Sequence, residues 1–219
     1  MIRRALAAEF VGSLLLAATV IGSGIAAERL SGGNVALALL ANSLATGAML
    51  YVLIVALADV SGAHFNPAVS VALAVRKAIT LRVAAFYTLA QVAGMVLGAV
   101  LAHAMFGLPS LQISMKGREE LGFLVGEVVA TGGLVFVVLA LAGRRVETIA
   151  TAVGLYIVAA YWFTSSTSFA NPAITIARAM TDTFAGIAPT SAPWFVVAQF
   201  VGVAFALFVA SSLITSSKE

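Results

Sequence analysis

The sequence predicts an all-α integral membrane protein, with six transmembrane helices and two re-entrant half-helices arranged as an inverted repeat. Three observations lead there. Of 219 residues, 62% are hydrophobic and only 10% charged, against about 25% charged in an ordinary soluble domain. So few charges cannot cover a soluble surface. The apolar residues fall in blocks of about 18–23, the length needed to cross a bilayer. The tripeptide Asn-Pro-Ala also occurs twice, at Asn66-Pro67-Ala68 and Asn171-Pro172-Ala173, at matched places in the two halves of the chain.

The predicted spans are about Ala5–Ala27, Val35–Leu57, Val83–Met105, Leu121–Ala142, Thr148–Ser165 and Trp194–Ile214. Strands of a membrane barrel run to about ten residues and alternate in polarity, which these blocks do not. Arg3 and Arg4 ahead of an apolar run resemble a signal peptide, but Glu9 and the length of the run argue against cleavage. With both termini cytoplasmic, Arg3, Arg4, Arg76, Lys77, Arg82, Arg144, Arg145 and Lys218 lie inside, while Arg29, Lys116, Arg118 and Arg178 lie outside. That is the sign required by the positive-inside rule. The net charge of +3 is scattered over connections and forms no nucleic-acid-binding stripe. The absence of cysteine rules out disulfides, thiolate metal sites and a catalytic thiol. No metal or cofactor is expected.

The chain repeats itself. "AEFVGSLLL" matches "GEVVATGGL", pairing Glu9 with Glu127. "NPAVSVALA" matches "NPAITIARA", and "AQVAGMVLGAV" matches "AQFVGVAFALF", pairing Gln91 with Gln199. The whole of 1–219 is read as one membrane domain, with repeats at about 1–106 and 118–214. Three spans per half reverse the second half in the bilayer, so the two Asn-Pro-Ala segments enter from opposite faces.

Asn accepts from early helical N–H groups as an N-cap, and Pro suits the first helical position. Asn66 and Asn171 therefore begin short helices, Pro67 to about Arg76 and Pro172 to about Asp182. Ten residues at 1.5 Å each reach about half of a ~30 Å hydrocarbon core, so the two helices meet N-terminus to N-terminus near the midplane. The loops leading to them cross membrane depth without regular structure. That is tolerated only inside protein or along a water-filled cavity. The polar run Thr164–Ser168 thus implies a pore or cavity beside it.

These features resemble the major intrinsic protein family, the aquaporins and aquaglyceroporins. "SGAHFNPAVS" is close to that family's first signature, and "SFANPA", Glu9, Glu127, Gln91 and Gln199 also fall at family positions. The resemblance covers essentially the whole chain. It implies a homotetramer with one pore per protomer and passive conduction of water and small neutral solutes. Asn66 and Asn171 would donate N–H bonds to permeating molecules. The positive helix ends would bar protons and cations, and Glu9 and Glu127 would brace the re-entrant loops. His64 would flank the cytoplasmic pore mouth. His103 reads as an interfacial side chain, and the "GMVLG" at 94–98 has the spacing that permits close helix contact. The likeness to bacterial members places the chain in an inner (plasma) membrane, in contact with lipid and with no nucleic-acid partner.

One departure bears on selectivity. Most members carry an Arg immediately after the second Asn-Pro-Ala, at the narrowest constriction; this chain has Ile174. By family spacing the other filter positions are Thr46, Ser168 and, in the fifth span, either Ala159 or Tyr161. Such a filter implies a wider, less polar aperture that passes glycerol, urea and neutral metalloid acids such as arsenous acid (arsenite). This resembles a bacterial aquaglyceroporin subgroup, some of whose members are linked to arsenic resistance. The alternative is a water-selective aquaporin whose constriction Tyr161 restores. Arg178, four residues beyond Ile174, either leans back toward the helix start and places its guanidinium at the vestibule or makes a salt bridge or a lipid-headgroup contact. An ion-coupled secondary transporter is a more distant alternative, since the only ionisable residues deep in the spans are Glu9 and Glu127, which bracing explains. An intramembrane enzyme is not expected, because no nucleophile–base or paired-carboxylate constellation lies in the spans.

Overall fold

The computed structural model describes residues 2–214; Lys218, assigned above to the inside, lies beyond them. The helices are α1 (Ile2–Leu30), α2 (Val35–Ser61), α3 (Pro67–Val75), α4 (Leu81–Met105), α5 (Leu121–Ala140), α6 (Val146–Phe163), α7 (Pro172–Arg178) and α8 (Ala192–Leu213). Among the described residues there are no strands. Six of the helices are long and apolar enough to cross a membrane; α3 and α7 are the two short ones. An even number of crossings brings both chain ends to one face. That face is called the terminal face here, and the opposite one, reached by the loop at 106–120, the loop face.

The crossing helices overrun several predicted spans. Helix α1 runs unbroken from Ile2 to Leu30: it has no Pro, it carries Gly12, Gly22 and Gly24 within the helix, and it ends just before Gly32 and Gly33, both at positive φ. Helix α2 starts at the cap supplied by Asn34, which accepts from Leu37 N at 3.0 Å. Helix α4 starts at Thr80, which accepts from Val83 N at 3.2 Å.

Helix α7 is shorter than expected. It stops at Arg178, well before Asp182. Its last turn tightens, with Ala179 N donating to Ile176 O at 3.2 Å and Met180 N to Ala177 O at 3.0 Å, and Arg178 O accepts from Ile187 N at 3.2 Å; the next carbonyls, those of Ala179 and Met180, accept from Ser114 N and Gln112 N of the loop at 106–120, each at 3.2 Å. The Asp182 carboxylate meanwhile accepts from Met115 N at 3.0 Å. Side-chain bonds of this kind offer the backbone an alternative to helix.

Helix α1 packs most closely on α4, and α5 on α8. The glycines allow it. A Cβ at Gly94 would collide with Phe10 O of α1, and one at Gly202 would lie 2.6 Å from Val128 O of α5. Both contacts are between backbones, so larger residues are excluded. Phe10 and Val128 are themselves equivalent positions of the repeat. The two helix pairs clasp the half-helices between them, and the inverted arrangement expected from the sequence is the one observed.

His103 corrects its expectation. It is fully buried at the end of α4. Its Nε2 lies 2.7 Å from Thr181 Oγ1 and its Nδ1 3.0 Å from Ser110 O. It ties the loop at 106–120 to the segment after α7 and does not sit at a lipid interface.

Candidate functional site

Asn66 and Asn171 cap α3 and α7 with their side-chain oxygens. Asn66 Oδ1 accepts from Ala68 N at 2.9 Å. Asn171 Oδ1 accepts from Ala173 N at 2.9 Å and Ile174 N at 3.3 Å. Pro67 and Pro172 occupy the first helical turns. The amide nitrogens reach across the centre of the molecule: Asn66 Nδ2 donates to Ala170 O at 2.7 Å, and Asn171 Nδ2 to Phe65 O at 2.8 Å. Each box is thereby pinned to the loop of the other. An amide nitrogen has two hydrogens, so each asparagine retains one.

The loops before the boxes adopt matched backbones. Ala63 and Phe65 have φ of 51° and 47°; Ser168 and Ala170, at the equivalent positions, have 50° and 48°. These are left-handed values at residues with a Cβ, costing on the order of 1–3 kcal/mol each. Two buried carboxylates hold them there. Glu9 Oε1 accepts from Ser61 Oγ at 2.6 Å and His64 N at 2.9 Å, and its Oε2 from Phe65 N at 2.7 Å and Gln91 Nε2 at 2.8 Å. Glu127 Oε1 accepts from Phe169 N at 2.8 Å, and its Oε2 from Ala170 N at 2.9 Å and Gln199 Nε2 at 2.6 Å. Gln91 continues to Ser70 Oγ, and Gln199 to Thr175 Oγ1, at 3.0 and 2.9 Å. With their N–H groups turned to the glutamates, these loops leave carbonyls elsewhere. No protein donor reaches the carbonyls of Ala63, His64, Ser168 or Phe169 among the described residues.

Those four residues line an internal cavity of about 100 Å³. A water needs about 10–15 Å³ of such space, so the cavity is large enough for a short file of small molecules. It runs from Gly62 and Leu73 toward the terminal face, past both box asparagines, to Thr46, Ile174 and Arg178 toward the loop face. Its walls away from the loops are aliphatic, supplied among others by Val20, Ile54, Leu134 and Val153. One strip of polar backbone along an apolar wall lets a polar solute exchange its hydration for carbonyls without binding tightly.

The sequence-selected filter residues divide. Thr46, Tyr161, Ser168 and Ile174 all line the cavity. Thr46 Oγ1 donates to Asn42 O at 2.9 Å and lies 3.2 Å from Tyr161 Oη. Ser168 Oγ is buried without a protein partner. Ala159 is the exception: it is exposed on the opposite side of α6 and does not touch the cavity. Tyr161, two residues on, sits about 200° further round the helix. His64 lines the cavity with its ring beside Gly62, toward the terminal face, with Nδ1 3.0 Å from Ser70 Oγ and the ring edge-on to Tyr87.

Arg178 also lines the cavity and is only 3% exposed. Its Nε donates to Ala185 O, and its guanidinium lies 3.3 Å from the centre of the Phe169 ring. The reading of the sequence missed Phe169, and it counted Arg118 merely as a loop charge. Arg118 comes down from the loop at 106–120, lies 5.3 Å from the same ring and donates to Ser166 O at 3.2 Å. Burial lowers the pKa of Arg118, partly offset by the charge of Glu127. No spacing rule links residue 118 to 169; only the folded loop brings them together.

The comparisons with known proteins agree with this geometry. The family model described as Major intrinsic protein matches residues 1–148. The aquaglyceroporin AqpS of Rhizobium meliloti (strain 1021) is 52% identical over 200 residues, covering 91% of this chain and 85% of that protein. The probable aquaporin TIP2-2 of Oryza sativa subsp. japonica is 35% identical over 141 residues, covering 64% of this chain and 57% of that one. Among solved structures, the aquaglyceroporin from Plasmodium falciparum matches with a TM-score of 0.75 over 98% of this chain and 97% of that one. At 22% identity that match speaks for the fold. The family consists of membrane channels and not enzymes, and with the paired boxes, their carboxylate braces and the cavity between them, the chain belongs to the major intrinsic protein family.

Proposed function

We propose that this protein is a channel whose aperture admits uncharged solutes larger than water: glycerol, urea and neutral metalloid acids such as arsenous acid, together with water itself. The observation that carries the reading is Ile174. It follows the second box directly, lines the cavity and is 4% exposed, so an aliphatic side chain stands where most family members place a guanidinium. Facing it are Thr46 and Ser168, both small. A solute carrying carbon as well as hydroxyl groups finds an apolar surface at Ile174 and hydrogen-bonding partners at Ser168 Oγ and the loop carbonyls. Asn66 and Asn171 present their remaining N–H groups midway, and Glu9 and Glu127 keep the loops in place. The similarity to an aquaglyceroporin supports the same class of solute.

Tyr161 favours a second reading. Its ring projects into the cavity beside Thr46, and a constriction there gives a water-selective pore. Osmotic swelling of proteoliposomes in a series of water, urea, glycerol and arsenous acid separates the two. The wider aperture predicts swelling in glycerol at a rate well above protein-free vesicles. Water flux without glycerol flux supports the Tyr161 constriction instead. The positive-inside count and the bacterial relative support a plasma-membrane location with both termini cytoplasmic, which places the Arg178 end of the pore outside. The exposed apolar faces of α2 and α6, including Val52, Val55 and Leu155, are available for lipid and for neighbouring protomers of a homotetramer.

A further inference from the structure

Residues seven positions after the box asparagines occupy equivalent places in the two halves. They are Leu73 and Arg178, and both line the cavity, one toward each end. The positions three after the asparagines, Val69 and Ile174, are both aliphatic and both line it too. At these two pairs of equivalent positions every side chain is aliphatic except Arg178. Among the described residues lining the cavity, Arg178 is the one with a fixed positive charge, and no Asp or Glu lines it. No carboxylate forms a salt bridge with Arg178; the one ion pair among the described residues joins Arg145 to Glu147. Among the described residues its side chain donates a hydrogen bond from Nε, to Ala185 O, and no protein acceptor takes the terminal N–H groups. The Phe169 ring fixes the plane of the guanidinium, and Arg118 adds a second charge against that ring.

We propose that Arg178, one helical turn beyond Ile174, is the charge barrier of this pore: it excludes protons and metal cations at the loop-face vestibule, so that Ile174 is free to widen the aperture. A guanidinium is permanently charged. An unpaired charge in a narrow, low-dielectric passage repels cations far more strongly than the same charge in water. Charge exclusion and size selection, which a single arginine after the box would combine, are here divided between two turns of one helix. The inference rests on the channel reading above, because a barrier needs a conducting pore.

The test uses proteoliposomes of the full chain with an entrapped pH-sensitive dye and an imposed potassium diffusion potential, alongside water permeability on the same vesicles. Arg178→Leu copies the residue at the equivalent position of the first half. It is expected to raise potential-driven proton flux by about one to two orders of magnitude, the scale of removing a unit charge from a low-dielectric path. Arg178→Lys keeps the charge and should suppress most of that leak. If the leucine variant does not fold, Arg178→Gln serves in its place. The double variant Ile174→Arg with Arg178→Leu returns a guanidinium to the position after the box and should restore exclusion. Water flux in Arg178→Leu with proton flux no greater than wild type overturns the proposal. Failure of the channel reading looks different, since wild-type vesicles would then pass neither water nor glycerol above background.

Discussion

The two boxes are built alike and end differently. Each has an asparagine cap, a proline, left-handed residues one and three positions before the asparagine, and a glutamate receiving the loop N–H groups. The loops are tied alike in the backbone and differ in one side chain. Glu9 receives Ser61 Oγ as well as the backbone of His64 and Phe65, and Ser61 Oγ accepts from Ala63 N at 3.0 Å as Ser166 Oγ does from Ser168 N at 3.2 Å. The loop before the second box is polar from Thr164 to Ser168 and is held by Glu127 and by Arg118 from the loop at 106–120. Beyond the boxes the first half offers Leu73 and the second Arg178. The scaffold is therefore symmetric where it has to hold two half-helices end to end. It is asymmetric only where one end of the pore must tell solutes apart.

That comparison is broken most severely at the braces. Glu9→Ala removes the acceptor of two backbone N–H groups and two side chains within the membrane. It should cost about 3–5 kcal/mol, the range for breaking a buried charged network. Glu127→Ala, which releases fewer groups, should cost less. Thermal unfolding in detergent, followed by intrinsic fluorescence, should rank the two in that order; equal losses would mean that the extra bond from Ser61 Oγ to Glu9 carries no energy. The next effect is packing. Gly94→Val forces α1 from α4 and should destabilise by about 1–3 kcal/mol, and Gly202→Val should do the same to α5 and α8. A variant with the wild-type melting temperature would contradict the close approach.

A smaller effect sharpens the asymmetry at the filter. Thr46→Phe puts an aromatic ring opposite Ile174 and should lower glycerol permeability severalfold more than water permeability in swelling assays. The smallest is Tyr161→Phe. It removes one hydroxyl contact with Thr46, about 0.5–1.5 kcal/mol of net hydrogen bonding, and should shift the melting temperature slightly with glycerol flux little changed. A large rise in glycerol flux would show that the tyrosine hydroxyl sets the aperture.

Much of this was readable from the residues. Apolar block lengths gave the six crossings, and the duplicated Asn-Pro-Ala placed the two half-helices, because both signals are local and chemically constrained. The repeat matched Glu9 with Glu127 and Gln91 with Gln199, and only the fold shows that each glutamate bonds the glutamine of its own half. What stayed hidden depends on the path of a loop. Helix α7 ends early because Ile187 N takes the Arg178 carbonyl and the chain just beyond pairs with the backbone of residues 112–114, and nothing in "NPAITIARAMTD" announces that. His103 looked interfacial because its partners, Thr181 and Ser110, come from segments without periodicity. The choice between Ala159 and Tyr161 turned on a loop two residues shorter than spacing assumed, and only the rotation of α6 settles which side chain faces the cavity.

The most direct test of the central claim is the ratio of glycerol to water permeability in proteoliposomes of wild type and Ile174→Arg, measured by stopped-flow light scattering. The account predicts that wild type passes glycerol. It also predicts that the added guanidinium suppresses glycerol flux by about an order of magnitude or more, through bulk and charge in a low-dielectric aperture, while water still passes. A wild-type pore that passes water but no glycerol, or a ratio that Ile174→Arg leaves unchanged, would contradict the account, because Ile174 would then not determine what the channel admits.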